Sequence, residues 1–350
     1  MSERGSDGPE SLPVRDAVAR YLQRRRADAT ESSVYSWEYR LKLFIEWCEG
    51  AGIEEVGQLR ALDLDEYYDI RSGAVQPSTL EGEMWTLKKF VEYLDQIDAV
   101  EDDLHESVRV PNVDADARSN DERLDESAAL PLLRYFRADE VRRATREHAF
   151  LEIAWYTGAR IGGTRGLDLR DANLEEQFLE FTHRPETDTG LKNKRAGQRP
   201  VAIPAETADV LAEYKRRHRH GVHDENGRAP LLTSTQGRPA KTTLRVWSYL
   251  ATQPCLHSTC PHGRERETCE YTERGQASKC PSSRSPHKIR TGSITWQLNI
   301  GIPPEVVAER VNASIAVIEE HYDKESPQER MEKRRRQYIE TMEAAFNDSE

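Results

Sequence analysis

The sequence predicts a mainly α-helical protein carrying one small β-sheet and built as two domains. Three observations lead there. Apolar residues recur at helical spacing from Leu12 to about Val108; residues 109–127 are charged and nearly free of large apolar side chains; and beyond them two short β-type runs sit among further helical patterns. With 350 residues, 37% of them hydrophobic, the chain can bury a core in each domain.

The polar start, residues 1–11, reads as a tail without the apolar stretch of a signal peptide. A first helical stripe follows, Val14, Ala17, Val18, Tyr21 and Leu22. Val34, Trp37, Leu41, Phe44 and Cys48 make a second, which Gly50 is expected to end. "DLDEYYDI" gives a short third helix. "PSTLEGEMWTLKKFVEYLDQI" gives a long fourth one, opened by Pro77 and Ser78, with Leu80, Trp85, Leu87, Phe90, Val91 and Leu94 as its buried set. Residues 12–108 are thus a four-helix domain, with Cys48 in its core. Residues 109–127 form a linker. A mixed domain follows over 128–350: a helix over about 138–156, strands "FLEFT" (178–182) and "RPVAIP" (199–204) joined by the basic turn "LKNKRAGQ", a helix near 241–251, and further helices.

Sixty-two acidic against 50 basic residues give a formal net charge of −12, so the average surface repels nucleic acid and anionic membranes, and any anion site must be local. The acidic excess fits a halophilic source as well as an acidic mesophilic protein. No run of about 18 apolar residues suggests a membrane span, so a cytoplasmic protein is expected.

Against that background "PHKIR" (286–290) is odd. Ser285 and Pro286 announce a helix start, where the backbone favours carboxylates, yet the opening turn carries His287, Lys288 and Arg290. His287 and Arg290 share one face beside unpartnered backbone N–H groups, which suits a phosphate oxygen, although the same residues would also serve as a solvated basic turn. In "TGARIGG" (157–163), Arg160 stands where another helix begins and again opposes the dipole. Lys194, with Lys192 close by, lies in the turn between the strands. Tyr322 follows the apolar stretch of Ile315, Val317 and Ile318. Each alone has an ordinary reading as ion pair, surface lysine or packing tyrosine.

In chain order they do not. An arginine, a hairpin lysine, a His-x-x-Arg helix start and a tyrosine 32 residues after that arginine resemble the catalytic domain of the tyrosine recombinases, the phage integrase family. "TGARIGGTRGLDLRDANL" stands at the first arginine box, "KRAGQRPVAIP" at the lysine hairpin, and "PHKIRTGSITWQLNIGIPPEVVAERVNASIAVIEEHYDK" at the second box. The four-helix unit resembles the family's SAM-like core-binding domain. The resemblance implies a site-specific recombinase that cuts and rejoins double-stranded DNA through a 3′-phosphotyrosine on Tyr322. Arg160 and Arg290 would bind the phosphate, Lys194 would protonate the leaving 5′-oxygen, and His287 would orient the phosphate or share the nucleophile's proton. It implies no cofactor for the chemistry and a homo-tetramer on two duplexes. Basic stretches at 22–26, 191–199, 214–220 and 332–336 are candidates for holding the duplex.

Two positions depart from the family. Gly163 replaces the usual acidic residue after the first arginine, and Asn312 replaces a histidine or tryptophan; its carboxamide can still donate to a phosphate oxygen. Between the helix near 241–251 and "SPHKIR" lies an insert, 252–284, with Cys255, Cys260, Cys269 and Cys280. Four thiolates could hold a structural zinc ion, with His257 or His262 able to replace one, against the alternative of free or redox cysteines. Two rival functions follow: a zinc-containing DNA-binding regulator without catalysis, and a nicking-closing enzyme of the type IB topoisomerase kind.

Overall fold

The computed structural model describes residues 12–113, 122–322, 327–336, 338–339 and 342–343. The chain forms two compact units, residues 1–120 and 121–350. Among the described residues no helix is long and apolar enough to cross a membrane.

The first unit is helical: α1 (Val14–Arg25), α2 (Glu31–Ala51), α3 (Ala61–Ser72) and α4 (Pro77–Asp95). Both sequence stripes face its core, where Leu41, Phe44, Cys48, Leu87 and Phe90 are fully buried. Burial pushes the Cys48 thiol up to about 12, so this cysteine is packing rather than chemistry. Two local expectations are corrected. The second helix runs through Gly50 and stops at Gly52, whose φ of 77° closes it with a left-handed cap. Trp85 is 49% exposed and Met84 is buried in its place, because the apolar face of α4 follows Leu80, Met84, Leu87 and Val91.

The second unit opens with α5 (Glu126–Ala138) and α6 (Arg146–Thr157), where one helix over 138–156 was expected. The break is a turn in which Asp139 accepts from the amides of Val141 and Arg142, and Ala144 takes a φ of 56°. After α7 (Ile161–Gly166) comes an antiparallel sheet in the order β1 (Ala172–Asn173), β2 (Phe178–Phe181), β3 (Arg199–Ala202), with Leu179 opposite Val201 and Phe181 opposite Arg199. The two predicted strands are thus present, and β1 joins them. Helices α8 (Ala205–Arg217), α9 (Lys241–Ala251), α10 (Pro286–Asn299), α11 (Pro304–Val311) and α12 (Ile315–His321) follow. The central α6 carries the fully buried Trp155 and packs against α9 and α10. A smaller cluster, Ile294, Leu298, Val307, Val311, Ile318 and Tyr322, joins α10 to α12. The mainly helical fold with a small sheet is the one the sequence predicts.

Candidate active site

The site is assembled at the carboxyl end of α11. Asn312 caps this helix with a left-handed backbone, φ 52°, and the amides of Asn312 and Ala313 close onto Glu309 and Ala308. The next three carbonyls each accept a guanidinium from a distant part of the chain. Arg199 Nε donates to Arg310 O at 2.6 Å, Arg290 Nη1 to Val311 O at 2.8 Å, and Arg160 Nη1 to Asn312 O at 2.8 Å. A helix carboxyl end is the negative pole of its dipole and leaves carbonyls without intrahelical partners, so it can hold cations that would otherwise repel one another.

Each arginine arrives for a local reason. Arg160 is the N-cap residue of α7, directed there by the turn at Gly158. Gly158 has a φ of 57°, and a Cβ on it would lie 2.8 Å from Val311 Cγ1, so only glycine lets the end of α6 approach α11 this closely. Arg290 lies one turn into α10, is 1% exposed, and donates a further bond to Gly158 O at 2.5 Å. Arg199 opens β3, with its guanidinium 4.7 Å above the Phe181 ring. Arg310 ties α11 back to Tyr156 O at 2.9 Å and Ala202 O at 3.2 Å.

None of Arg160, Arg199, Arg290 and Arg310 pairs with a carboxylate among the described residues. Burial first, then Arg290, Arg160 and Arg310, lower Arg199 to about 10. Burial and Arg290 likewise lower Arg160. Arg290 Nη2 is buried and has no hydrogen-bond partner among the described residues. A buried donor on a cation without an acceptor is costly, so the cluster has the charge and the open donor that would suit an anionic ligand.

Tyr322 completes the group. It is 6% exposed, its ring packs in the α10–α12 cluster, and its carbonyl accepts from Thr295 Oγ1 on α10 at 3.2 Å. Its hydroxyl lies 3.4 Å from Arg290 Nε, and Arg290 Cζ is 5.8 Å from the ring centroid. The His287 ring is 6.5 Å from that of Tyr322. Desolvation and the charges of Arg290, Lys288, Arg160 and Lys192 push His287 below its usual pKa, so the imidazole is neutral at neutral pH and free to accept a proton. The structure therefore brings Arg160, His287, Arg290, Asn312 and Tyr322 together.

The hairpin lysines are less alike than their spacing suggests. Lys192 and Lys194 are both exposed on the long connection between β2 and β3, but it is Lys192 whose charge bears on His287. Lys194 starts a short 3₁₀ turn with a φ of 50°. Gly163, at the position of the missing acidic residue, would bring a Cβ to 3.2 Å from Phe181 Cδ1. In the sequence Arg199 stands out only as the end of the basic stretch 191–199, not as a partner of Arg160 and Arg290, because the carbonyl it bonds is 111 residues away.

The chain is 48% identical to the crystallised N-terminal domain of a phage integrase/site-specific recombinase from Haloarcula marismortui, covering 99% of that domain and 29% of this chain, with a TM-score of 0.29. The chain belongs to the tyrosine recombinase, or phage integrase, family. Across nearly the whole length, the recombinase fold is that of the Tn1549 transposon integrase in complex with a circular intermediate DNA, with a TM-score of 0.64 at 14% identity over 95% of this chain and all of the other. The lambda integrase dimer bound to a COC′ core site gives 0.62 at 11% identity, over 91% of this chain and 79% of the other. No family model and no curated protein matches.

The cysteine insert of this family member does not bring its candidate zinc ligands together. Among the described residues, the only three His, Cys, Asp or Glu side chains whose ligand atoms lie within 4.8 Å of one another are Asp95, Asp103 and His105. Cys255, Cys260, Cys269 and Cys280 are free thiols set on separate short turns; Cys255 Sγ accepts from Arg266 Nη1 at 3.0 Å, and His262 bonds Ser282 Oγ at 2.9 Å. A tetrahedral site needs four ligand atoms converging on one point, and no three of these side chains lie within 4.8 Å of one another here.

Proposed function

We propose that this protein is a site-specific DNA recombinase that cleaves and rejoins strands through a 3′-phosphotyrosine on Tyr322. The observation that carries the reading is the Tyr322 hydroxyl against Arg290 Nε at 3.4 Å, beside a buried Nη2 with no acceptor among the described residues. A phosphodiester seated there would give that N–H its missing acceptor and place phosphorus next to the phenol.

Tyr322 Oη attacks phosphorus, and its proton passes to neutral His287 or to solvent. Arg160 and Arg290 bind the non-bridging oxygens and follow the charge that grows in the transition state; preorganised donors of this kind are each worth about 10²–10³ in rate. A hairpin lysine, Lys194 or its neighbour Lys192, gives a proton to the departing 5′-oxygen. One phosphoester replaces another, so neither nucleotide nor metal is required. Four copies around two duplexes would exchange the strands. A halophilic source agrees with the net charge of −12 and with the Haloarcula origin of the 48%-identical domain.

The test uses a pool of nicked duplexes of randomised sequence, incubated with wild type and Tyr322→Phe and resolved on denaturing gels. Wild type is expected to form a covalent protein–DNA adduct, and Tyr322→Phe to bind duplex without one. Binding by both with no adduct would instead favour a regulator.

A further inference from the structure

The carboxamide of Asn312 is committed to the lysine hairpin. Its Oδ1 accepts from Asn193 Nδ2 at 2.7 Å, and its Nδ2 donates to Ala196 O at 3.2 Å. The orientation is fixed, since exchanging Oδ1 and Nδ2 would turn an oxygen toward the Ala196 carbonyl. Gly197 makes the approach feasible: a Cβ there would meet Asn312 Oδ1 at 3.2 Å and Leu191 Cβ at 3.4 Å. The backbone of Asn312 is tied down as well, its carbonyl holding Arg160 and its φ of 52° being one that asparagine tolerates better than most residues. One residue thus bonds the lysine hairpin through its side chain and an active-site arginine through its main chain.

The hairpin needs such a hold. Residues 192–196 are all exposed, and the connection from β2 to β3 is long. At its base Leu191 N donates to His183 Nδ1 at 2.9 Å, and His183 N donates to Gln198 Oε1 at 3.1 Å. Beyond that base, Asn193 and Ala196 reach across to Asn312. An exposed loop left open would place its lysine near the reacting bond only part of the time.

We propose that Asn312 is a positioning residue which, with Asn193, clamps the lysine hairpin against the carboxyl end of α11 and so governs protonation of the leaving 5′-oxygen. In the cleavage step the bond from Tyr322 Oη to phosphorus forms, the bond from phosphorus to the 5′-oxygen breaks, and the lysine proton moves to that oxygen. Asn312 touches none of these atoms. The clamp needs a donor and an acceptor on one short side chain, which asparagine supplies and tryptophan does not.

The proposal rests on the recombinase reading, and its test separates the two. Asn193→Ala, Asn312→Ala and wild type are compared on nicked duplexes, selected from the randomised pool, whose scissile 5′-bridging atom is either oxygen or sulfur. A thiol has a pKa of about 8.5 and leaves without a proton. Both variants are expected to slow adduct formation about 10-fold or more on the oxygen duplex and less than about 3-fold on the sulfur duplex, because only the former needs the lysine. Equal losses on both duplexes would overturn the proposal and return Asn312 to direct phosphate contact. Hydrogen exchange of the free protein provides a second, DNA-independent check. The amides of residues 192–197 should exchange at least about 3-fold faster in either variant, in line with the loss of one hydrogen bond in Asn193→Ala and two in Asn312→Ala, with the rest of the second unit unchanged. Unchanged hairpin exchange would sink the clamp. Absence of any adduct from wild type would sink the recombinase reading instead.

Discussion

Arg199 donates to Arg310 O from a half-buried position beside two other site arginines, with no carboxylate to offset the charge among the described residues. Its planar fork is what fixes it there, so lysine is not an equivalent. Arg199→Lys should keep the fold and lower the rate of adduct formation about 10-fold or more, the order expected from one charge-assisted hydrogen bond of about 1.5–3 kcal/mol. Single-turnover assays with circular dichroism as the folding control measure this; an unchanged rate would make Arg199 a bystander. His287 gives a pH signature. Desolvation and four neighbouring cations depress its pKa below the ordinary 6.5, so the neutral, proton-accepting form persists to lower pH than in a free histidine. Adduct formation should stay flat down to pH 6.5 and fall below it, and His287→Gln should remove that acid limb. A limb centred above pH 6.5 would contradict the environment described. The same depression bears on stability. The unfolded chain binds the extra proton first, so the contribution of His287 to stability is lost as pH falls below about 6.5. At this scale the sequence disclosed the residues whose type is chemically marked, tyrosine, histidine and arginine at helix starts, and it concealed Arg199, whose role exists only through a remote carbonyl.

The element that organises the site is the carboxyl end of α11, three of whose consecutive carbonyls each hold a different arginine. It depends on close approach by the end of α6 at Gly158. Gly158→Ala would force a side chain into a left-handed residue and against Val311 Cγ1 at 2.8 Å. We expect a loss of about 1–3 kcal/mol, seen as a lower denaturant midpoint, together with a fall in adduct formation, because Arg160 and Arg290 both bond to groups that would move. Loss of stability with full activity would show that the arginines are placed by other means. Elements of strong period were legible in the chain: α1, α2, α4 and the two longer strands fall where the apolar spacing puts them. What could not be read was set by turns. The Asp139 turn splits α5 from α6, and β1 is a two-residue strand below any periodic signal. The hairpin has two lysines two residues apart, and spacing in the sequence cannot choose between them. The cysteine run is of the same kind: crowding in sequence does not by itself make ligand atoms converge, and here they stand apart.

Across the whole chain the charge of −12 is the dominant long-range property, and salt that screens it acts on stability and on DNA affinity in opposite senses. Carboxylates in excess repel one another over a Debye length of about 10 Å at 0.1 M salt, shrinking to about 3 Å at 1 M. The structure has ion pairs that salt weakens, such as Arg15 with Glu49, both well exposed, but such pairs are worth only about 0–1 kcal/mol each. The ion network that matters to the fold is shielded: Asp168, 3% exposed, takes Arg228 at 2.8 Å and Arg238 at 2.6 Å, and Asp171, 4% exposed, takes Arg184 at 2.6 Å. Screening therefore removes more repulsion than attraction. Calorimetry of the full chain should show both units melting several degrees higher in 2 M than in 0.1 M KCl, while affinity for duplex DNA falls over the same range with a negative slope of log affinity on log salt. A melting temperature that drops with salt would mean that exposed pairs, not carboxylate repulsion, govern this protein. A flat affinity slope would mean that the arginine cluster and the basic stretches do not meet phosphate at all, and the anion that Arg290 Nη2 lacks would have to be sought elsewhere.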